Sequence, residues 1–470
     1  MKFDENNFNS ETDAVKKYEK YLETGNSIYL SEEEMDEVIN YYTYNDKYKQ
    51  ALIAVENSIS LYPYESIYYV KKSEILNELG KMNEALKAID KAMALEPANH
   101  ENYISKGEIY EKFEEYNKAI DVYKEAIKMR FNPTIFIVKI AVNYHFADKL
   151  DLAKNWMRKL DPKLVDEEIT LIEIVFGFSL LQLQNQCIDF LISYTDENPY
   201  SERAWLLLSQ IYFEIGELKK ALWAIDFSIA IKDYVSEFWS IKGIIHFKKE
   251  EYNTAIESFI KAIELDSEES QTFSELGQCY LKLNDWQTAR KHFKTALKLE
   301  RDNASAWAGI GSSFILQNKN TDAVHYLKRA LKLEPCNESF QLELAKAYFN
   351  LEKYQQADNI YFNIVVFNPD NTEAWLDWSY LHWEMGNYHE AFEKLYLASP
   401  SLPPQAEVLY RLASYSFLRK KIKEGTKFLE EALGLNFNKK DLFFKFAPKF
   451  INSKAVRELI DMYNPENYYK

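Results

Sequence analysis

Small side chains recur along this chain at a fixed interval of 34 residues. If frames of 34 residues start at Glu32, twelve frames follow one another without insertion or deletion and end at residue 439. The twentieth position of every frame is small, and it holds Ala51, Ala85, Ala119, Ala153, Cys187, Ala221, Ala255, Ala289, Ala323, Ala357, Ala391 and Gly425. The eighth position is mostly small as well. Two such columns predict two helices that approach each other closely in every frame.

Large apolar residues occupy other columns of the same frames. Aromatic residues favour the fourth and eleventh positions, such as Trp205 with Tyr212 and Trp307 with Phe314. Spacings of three, four and seven residues within each half-frame are helical. Turn-forming residues stand near the middle of six frames, at Gly80, Asp148, Gly216, Asn284, Asn318 and Gly386. Each frame therefore predicts a helix A, a short turn, a helix B and a second short turn.

This pattern resembles the tetratricopeptide repeat family at its defining positions. The frame 304–337 carries the family residues at Trp307, Gly311, Phe314, Ala323, Ala330 and Pro335. The resemblance extends over residues 32–439. It implies an all-α fold, an α-α superhelix or solenoid of about twelve 34-residue helical hairpins, in which each hairpin buries its apolar face against its neighbours.

The two ends of the array need closing elements. Residues 1–31 contain an amphipathic stretch from Ala14 to Leu22 and are predicted to form an N-terminal capping segment. Residues 440–470 are predicted to form C-terminal capping helices near 441–446 and 453–462, which we expect to cover the last helix B. The predicted division is thus 1–31, 32–439 and 440–470.

The frames from 134 to 201 depart from the pattern. Position four holds Ile137 and Leu171, and position twenty-seven holds Leu160 and Tyr194 where Ala is usual. Both frames are unusually apolar. Three interpretations stay open: a locally repacked pair of repeats, a bend in the superhelix, or a self-association face.

Composition and charge narrow the class of protein. The formal net charge of −16 disfavours nucleic acid and anionic lipid as partners. The first twenty residues lack an apolar leader, and no apolar run is long enough for a membrane span, so neither is expected. The widely spaced Cys187, Cys279 and Cys336 fit a reducing compartment. We expect a cytoplasmic protein, and the residue usage suggests a bacterial source.

No catalytic or metal-binding motif is present. The seven histidines are scattered, and His246 and His382 occupy the eleventh position, where other frames hold Tyr or Phe. Acidic pairs lie on predicted solvated helix faces, where nothing would shift their pKa for acid–base work. The chain is therefore predicted not to be an enzyme and to need no cofactor and no metal.

The family resemblance places a ligand along the inner face formed by helices A, at frame positions two, five, nine, twelve and thirteen. The Lys and Asn residues of a carboxylate clamp and the repeated Asn of an asparagine ladder are both missing.

Instead, position twelve is apolar over the second half of the chain, with Lys and Tyr beside it. The predicted peptide-binding groove comprises Phe213, Phe247, Lys248, Lys282, Lys346, Phe349, Tyr380, Trp383, Tyr410 and Phe417. In this groove, aromatic side chains would anchor a peptide and lysines would meet its acidic side chains. Packing between repeats is the alternative explanation of the same stripe.

The resulting functional prediction is a non-enzymatic scaffold or adaptor that binds peptide or protein segments. The alternative is a structural protein that forms homo-oligomers through its central or terminal repeats. The partner itself cannot be named from these residues.

Overall fold

The protein is built from α-helices throughout the part that the structure describes. The computed structural model describes residues 12–24, 30–165, 168–266, 268–398, 402 and 405–465. These residues form 27 α-helices and three single-turn 3-10 helices, and they contain no β-strand. The predicted all-α fold is confirmed.

The chain divides into two compact units, Met1–Asp233 and Tyr234–Lys470. The first unit contains α1 Asp13–Thr24, α2 Glu32–Tyr44, α3 Tyr48–Leu61, α4 Ser66–Glu78, α5 Met82–Leu95, α6 Glu101–Lys112, α7 Tyr116–Lys128, α8 Pro133–Phe146, α9 Leu150–Met157, α10 Glu168–Leu180, α11 Gln184–Glu197, α12 Glu202–Glu214 and α13 Leu218–Ile231. The second contains α14 Ser236–Lys248, α15 Tyr252–Leu265, α16 Ser270–Lys282, α17 Trp286–Leu299, α18 Ala304–Ile315, α19 Asn320–Leu333, α20 Glu338–Asn350, α21 Tyr354–Phe367, α22 Thr372–Glu384, α23 Tyr388–Ala398, α24 Ala406–Leu418, α25 Ile422–Leu435, α26 Asp441–Phe446 and α27 Lys454–Met462. From α2 to α25, even numbers are helices A and odd numbers are helices B.

Helices B begin in strict register. Their first residues are Tyr48, Met82, Tyr116, Leu150, Gln184, Leu218, Tyr252, Trp286, Asn320, Tyr354, Tyr388 and Ile422, each 34 residues after the one before. Within both units, each helix A packs against its own helix B. The helical hairpin is therefore the repeating element of each unit.

Helix A ends in the same way in all twelve frames. The residue at frame position fifteen adopts a left-handed backbone conformation, with φ between +56° and +80°, at Asp46, Gly80, Glu114, Asp148, Gln182, Gly216, Glu250, Asn284, Asn318, Glu352, Gly386 and Lys420. The next amide donates to a carbonyl five residues earlier, as Lys81 N does to Leu76 O at 2.9 Å. This is the Schellman arrangement that ends a helix and reverses the chain. Only three of the twelve residues are glycine, so the packing of the hairpin enforces the turn even where the local residue disfavours it.

The close approach inside a hairpin depends on a ring that lies over a glycine. Tyr123 of α7 lies over Gly107 of α6, and a Cβ atom added at Gly107 would come within 2.2 Å of the Tyr123 ring. The same arrangement recurs in the second unit with Phe259 over Gly243. A larger residue at the eighth position would thus push the two helices of these frames apart.

The terminal helices pack onto the repeats. In α1, Val15 and Tyr18 are buried in a cluster with Met35 and Val38 of α2. At the other end, α26 packs on α24, which is a helix A. The tail shares a buried cluster with Leu433 of the last helix B, as expected, and Phe443 and Phe446 of α26 also insert among the aromatic side chains of the last helices A.

The segment boundaries 1–31, 32–439 and 440–470 stay a prediction. Parts of the proposed terminal segments, residues 1–11, 25–29 and 466–470, lie outside the described residues.

The first of the two frames from 134 to 201 is irregular in the structure as well. Helix α9 has 8 residues, whereas the other helices B have 11 to 14, and a 3-10 turn at Pro162–Leu164 follows it. A shallow cavity of about 440 Å³ lies beside it, lined by Met157, Phe178 and Phe190 among others. The bend and the self-association face proposed for these frames stay predictions.

Replacing Gly107 with Ala tests the close approach. We expect Gly107→Ala to lower the free energy of unfolding by about 1–3 kcal/mol, because the new methyl group overlaps the Tyr123 ring. Urea unfolding followed by far-UV circular dichroism measures the change. Gly434→Ala is the control, since a Cβ atom there meets nothing within 4 Å. Equal stability of the two variants would contradict the placement of Tyr123.

Candidate functional site

The ten predicted groove residues do not form one exposed surface. Phe213 lies in the first unit and the other nine lie in the second. Phe247, Phe349, Tyr380 and Trp383 are half-buried, as is Phe213, while Lys248 and Lys282 are exposed. These positions keep some access to solvent, so a role in binding stays a prediction for them.

Tyr410 and Phe417 were wrong as groove residues. Tyr410 is 0% exposed, and its hydroxyl donates to the carbonyl of Asn436 at 2.9 Å. Phe417 packs edge-to-face against Phe443 and Phe450, with ring centroids 5.1 and 5.0 Å apart. Both side chains belong to the core between the last repeat and the C-terminal helices, so no partner can reach them in this state.

The aromatic end of the predicted groove is occupied by the chain itself. Trp383 Nε1 donates to the carbonyl of Phe446 at 3.0 Å, and the two rings are 5.5 Å apart. The same phenylalanine lies 6.1 Å from Tyr380 and under the guanidinium of Arg411. For Tyr380 and Trp383, packing therefore accounts for much of the apolar stripe.

Lys346 already has carboxylate partners. Its Nζ lies 2.9 Å from Glu373, 3.8 Å from Glu343 and 3.9 Å from Asp377. Burial raises the pKa of Asp377, while the charges of Lys346 and Arg411 lower it and leave a net increase. The predicted encounter between Lys346 and an acidic partner would have to displace these contacts.

The structure also corrects which frame positions face outward on helices A. Position five is buried at Leu206, Ser274 and Leu342, whereas Ile172 at the same position is 40% exposed. Position six keeps partial exposure at Lys139 and Glu343. In the frames where position five is buried, the outward face of helix A is thus rotated towards position six.

One carboxyl on this face of the second unit is strongly perturbed. Burial raises the pKa of Glu275 on α16 to about 7, Glu269 raises it slightly, and a hydrogen bond from Gln271 at 3.3 Å lowers it. At neutral pH this side chain is therefore poised between its protonated and charged forms.

In the first unit, helices A carry a continuous set of charges that we call the acidic row. It comprises Asp36, Lys71, Glu74, Glu101, Glu108, Glu111, Lys139 and Glu173. Lys71 of α4 pairs with Asp36 of α2, and Lys139 of α8 pairs with Glu108 of α6 at 2.8 Å. These ion pairs tie successive helices A together.

Longer-range interactions join the rest of the acidic row. Partial desolvation raises the pKa of Glu74; Lys71 lowers it, and Glu108 and Glu101 raise it further. Burial lowers the pKa of Lys139, but the surrounding carboxylates, including Glu173, outweigh this effect and raise it. The members of the row thus share one electrostatic environment.

Glu111 is held in place from below the surface. Because Gly107 leaves room, the ring of Tyr123 crosses the hairpin, and its hydroxyl donates to Glu111 at 2.8 Å. Asn143 of α8 donates to the same carboxylate. Burial raises the pKa of Tyr123 well above its usual value, and the neighbouring carboxylates raise it further. The small residue at position eight therefore lets a ring of helix B hold a carboxylate of helix A one turn further along.

Exposed apolar side chains lie at the α8–α10 end of the acidic row. Phe146, Ile172 and Phe176 are 51%, 40% and 56% exposed, and we call these three residues the apolar patch. Helices α8 and α10 pack against each other, and Ile172 and Phe176 are one helical turn apart. Glu173 of the acidic row stands between them in the sequence of α10. Phe146 also stacks on Tyr116 of α7, with ring centroids 5.7 Å apart. Large apolar side chains exposed beside charged groups form a candidate interaction surface.

Two histidines outside this face contact carboxylates. His246 Nδ1 lies 2.7 Å from Glu251, and His382 Nε2 lies 3.0 Å from Asp358. Burial raises the pKa of the Cys187 thiol to about 12. Among the described residues, no cluster of three His, Cys, Asp or Glu side chains could hold a metal ion. In that same part of the chain, no helix is long and apolar enough to cross a membrane.

Comparison with protein families agrees with the hairpin geometry. Models of the tetratricopeptide repeat match residues 67–99, 100–133, 241–306, 274–338 and 314–377. The chain contains tetratricopeptide repeats in these two regions, 67–133 and 241–377. The matches fall in both units and on frames whose helices keep the 34-residue register.

Several solved structures resemble this chain at low identity. Yeast Tom70 is 18% identical, covering 90% of this chain and 97% of its own, with a TM-score of 0.45. A chain in the structure of the APC/C hetero-tetramer Cut9–Hcn1 is 16% identical. The match covers 96% of this chain and 88% of that chain, with a TM-score of 0.44. MamA is 20% identical. The match covers 34% of this chain and 95% of the MamA chain, with a TM-score of 0.32. No curated protein matches the sequence significantly. Likenesses at this level say nothing about a partner.

Glu275→Gln is expected to change how stability depends on pH. The folded-state pKa of Glu275, about 7, lies above the usual value of 4.5, so its contribution is present below pH 4.5 and is lost as the pH rises through 7. Relative to the parent, the variant should gain stability on the order of 2 kcal/mol between pH 5 and 8.5. Urea unfolding at several pH values measures this gain. Glu257→Gln, at an exposed position of α15, controls for net charge, and a pH-independent difference for Glu275→Gln would refute the assignment.

Proposed function

We propose that this protein is a non-enzymatic interaction scaffold that binds a peptide or protein segment on the exposed face of its helices A. The observation that carries the proposal is the apolar patch of Phe146, Ile172 and Phe176, which is exposed beside the acidic row. Solenoid repeats present extended surfaces of this kind to their partners. Because the three side chains are 40–56% exposed, burying the rest of each would supply roughly half of the 1.5–3 kcal/mol expected for a fully exposed side chain.

The absence of catalysis is part of the same proposal. It is supported by the engagement of His246 with Glu251 and of His382 with Asp358 in contacts between helices. A cytoplasmic location and a bacterial origin stay proposals that rest on cysteine and residue usage alone.

Self-association is the second candidate, and the same apolar patch favours it. In that case the partner would be another copy of this chain, bound through the irregular frames from 134 to 201. Sedimentation at two protein concentrations distinguishes the candidates, because a self-associating chain gains mass with concentration. A constant monomer mass would remove this candidate.

Phe176→Ser is expected to abolish most partner capture. The substitution removes an exposed aromatic anchor on α10, and Phe367→Ser is the matched control because Phe367 is 87% exposed on α21, a helix B. Capture from native lysate, quantified by mass spectrometry, should fall at least tenfold for Phe176→Ser and stay near the parent level for Phe367→Ser. Equal capture by both variants, or none by the parent, would count against the proposed face.

A further inference from the structure

The acidic row carries a surplus of negative charge that its own lysines do not neutralise. Six carboxylates share the row with Lys71 and Lys139. Lys71 is paired with Asp36 and also donates to Asn40 at 3.0 Å, and Lys139 is paired with Glu108. Each lysine makes one direct ion pair and acts on the other carboxylates only at longer range, so two cations face six carboxylates.

The remaining carboxylates lack a cationic partner of their own. Within the described residues, no ion pair involves Glu74, Glu101 or Glu173. Glu111 accepts only neutral donors, from Tyr123 and Asn143. Carboxylates that are held near one another repel. A cation that lies between them relieves this repulsion and is therefore attracted to the site.

Apolar and acidic groups alternate where the row meets the apolar patch. On α10, Ile172 lies four residues and Glu173 three residues before Phe176, so each of them neighbours Phe176 on the surface of the helix. On α8, Lys139 and Phe146 are seven residues apart, two helical turns along the same side. A partner would therefore meet apolar contacts and negative charges at short intervals.

We propose that this face of the first unit binds an extended segment that is both basic and apolar, with lysine or arginine side chains set between two or three large apolar ones. This inference rests on the proposed function and specifies its partner. The recognition chemistry is the pairing of the cations with Glu74, Glu101 and Glu173 while the apolar side chains cover the apolar patch.

The dimensions set the length of that segment. The row runs over five helices A, and at about 10 Å for each of the four steps between them it spans about 40 Å. An extended chain covers this distance in about 12 residues. The chemistry is opposite to the predicted capture of acidic side chains by Lys346, whose charge is already compensated by Glu373, Glu343 and Asp377.

Peptide binding to the full chain tests the inference. The probe is a fluorescein-labelled 14-residue peptide in which lysines alternate with Leu and Phe. Its two comparison peptides replace every lysine with glutamate or every apolar residue with serine. Fluorescence anisotropy at 50 and 300 mM NaCl should show binding of the first peptide only, and weaker binding at the higher salt because screening shortens the reach of the charges.

Matched variants distinguish binding at this face from attraction to the overall negative charge of the chain. The double variant Glu74→Gln and Glu173→Gln should weaken binding of the basic peptide about tenfold. Asp121→Asn with Glu125→Gln makes the same charge change on exposed positions of α7, a helix B, and should leave binding within about twofold. Far-UV circular dichroism confirms that both proteins remain helical.

Two results would overturn the inference. One is equal binding of the lysine and glutamate peptides, and the other is an equal loss of affinity in the two double variants, which would indicate non-specific attraction. If Phe176→Ser still abolishes partner capture while the basic peptide fails to bind, the proposed function stands and only the basic character of the partner is refuted. If Phe176→Ser leaves capture unchanged, the proposed function itself fails.

Discussion

The close approach of helix A and helix B is the constraint on which the rest of the structure depends. At frame position twenty, residues such as Ala85, Ala119 and Ala221 are fully buried, because the partner helix leaves no room for a larger side chain. With that distance fixed, large rings can occupy only the remaining columns, and each hairpin stacks on the next. The outer side of helices A is not used for packing within the hairpin. Charged groups and exposed apolar groups therefore lie on that side.

The period and the helices could be predicted from the sequence, because small residues in two columns leave a signal that needs no three-dimensional contact. The turns could be predicted from the sequence only in some of the frames. Gly80 and Asn284 are recognisable turn formers, but Glu250 and Lys420 adopt the same left-handed backbone although their side chains disfavour it. There the packing of two helices outweighs a local preference of about 1 kcal/mol. The place of α26 also depends on tertiary contacts, since nothing in its six residues indicates that Phe446 packs against Trp383.

The candidate site was harder to predict than the fold. The aromatic column at position twelve drew attention to the second unit, where Tyr410 and Phe417 turned out to be core residues. The acidic residues at positions six and nine of the first unit were visible, but their grouping depends on contacts such as that between Lys139 and Glu108, which lie 31 residues apart. A net charge of −16 is a property of the whole chain, whereas the acidic row is a property of one face. Only the arrangement of the helices shows that several carboxylates share that face without enough lysines.

The measurement that tests the central constraint most directly is the stability of Ala85→Leu compared with that of Lys87→Leu, both on α5. Ala85 is fully buried and Lys87 is exposed, so the two substitutions introduce the same side chain on opposite sides of one helix. If close nesting at position twenty holds the hairpin together, urea unfolding should show Ala85→Leu destabilised by about 1–3 kcal/mol or more and Lys87→Leu within about 0.5 kcal/mol of the parent. Equal stability of the two variants would contradict the account.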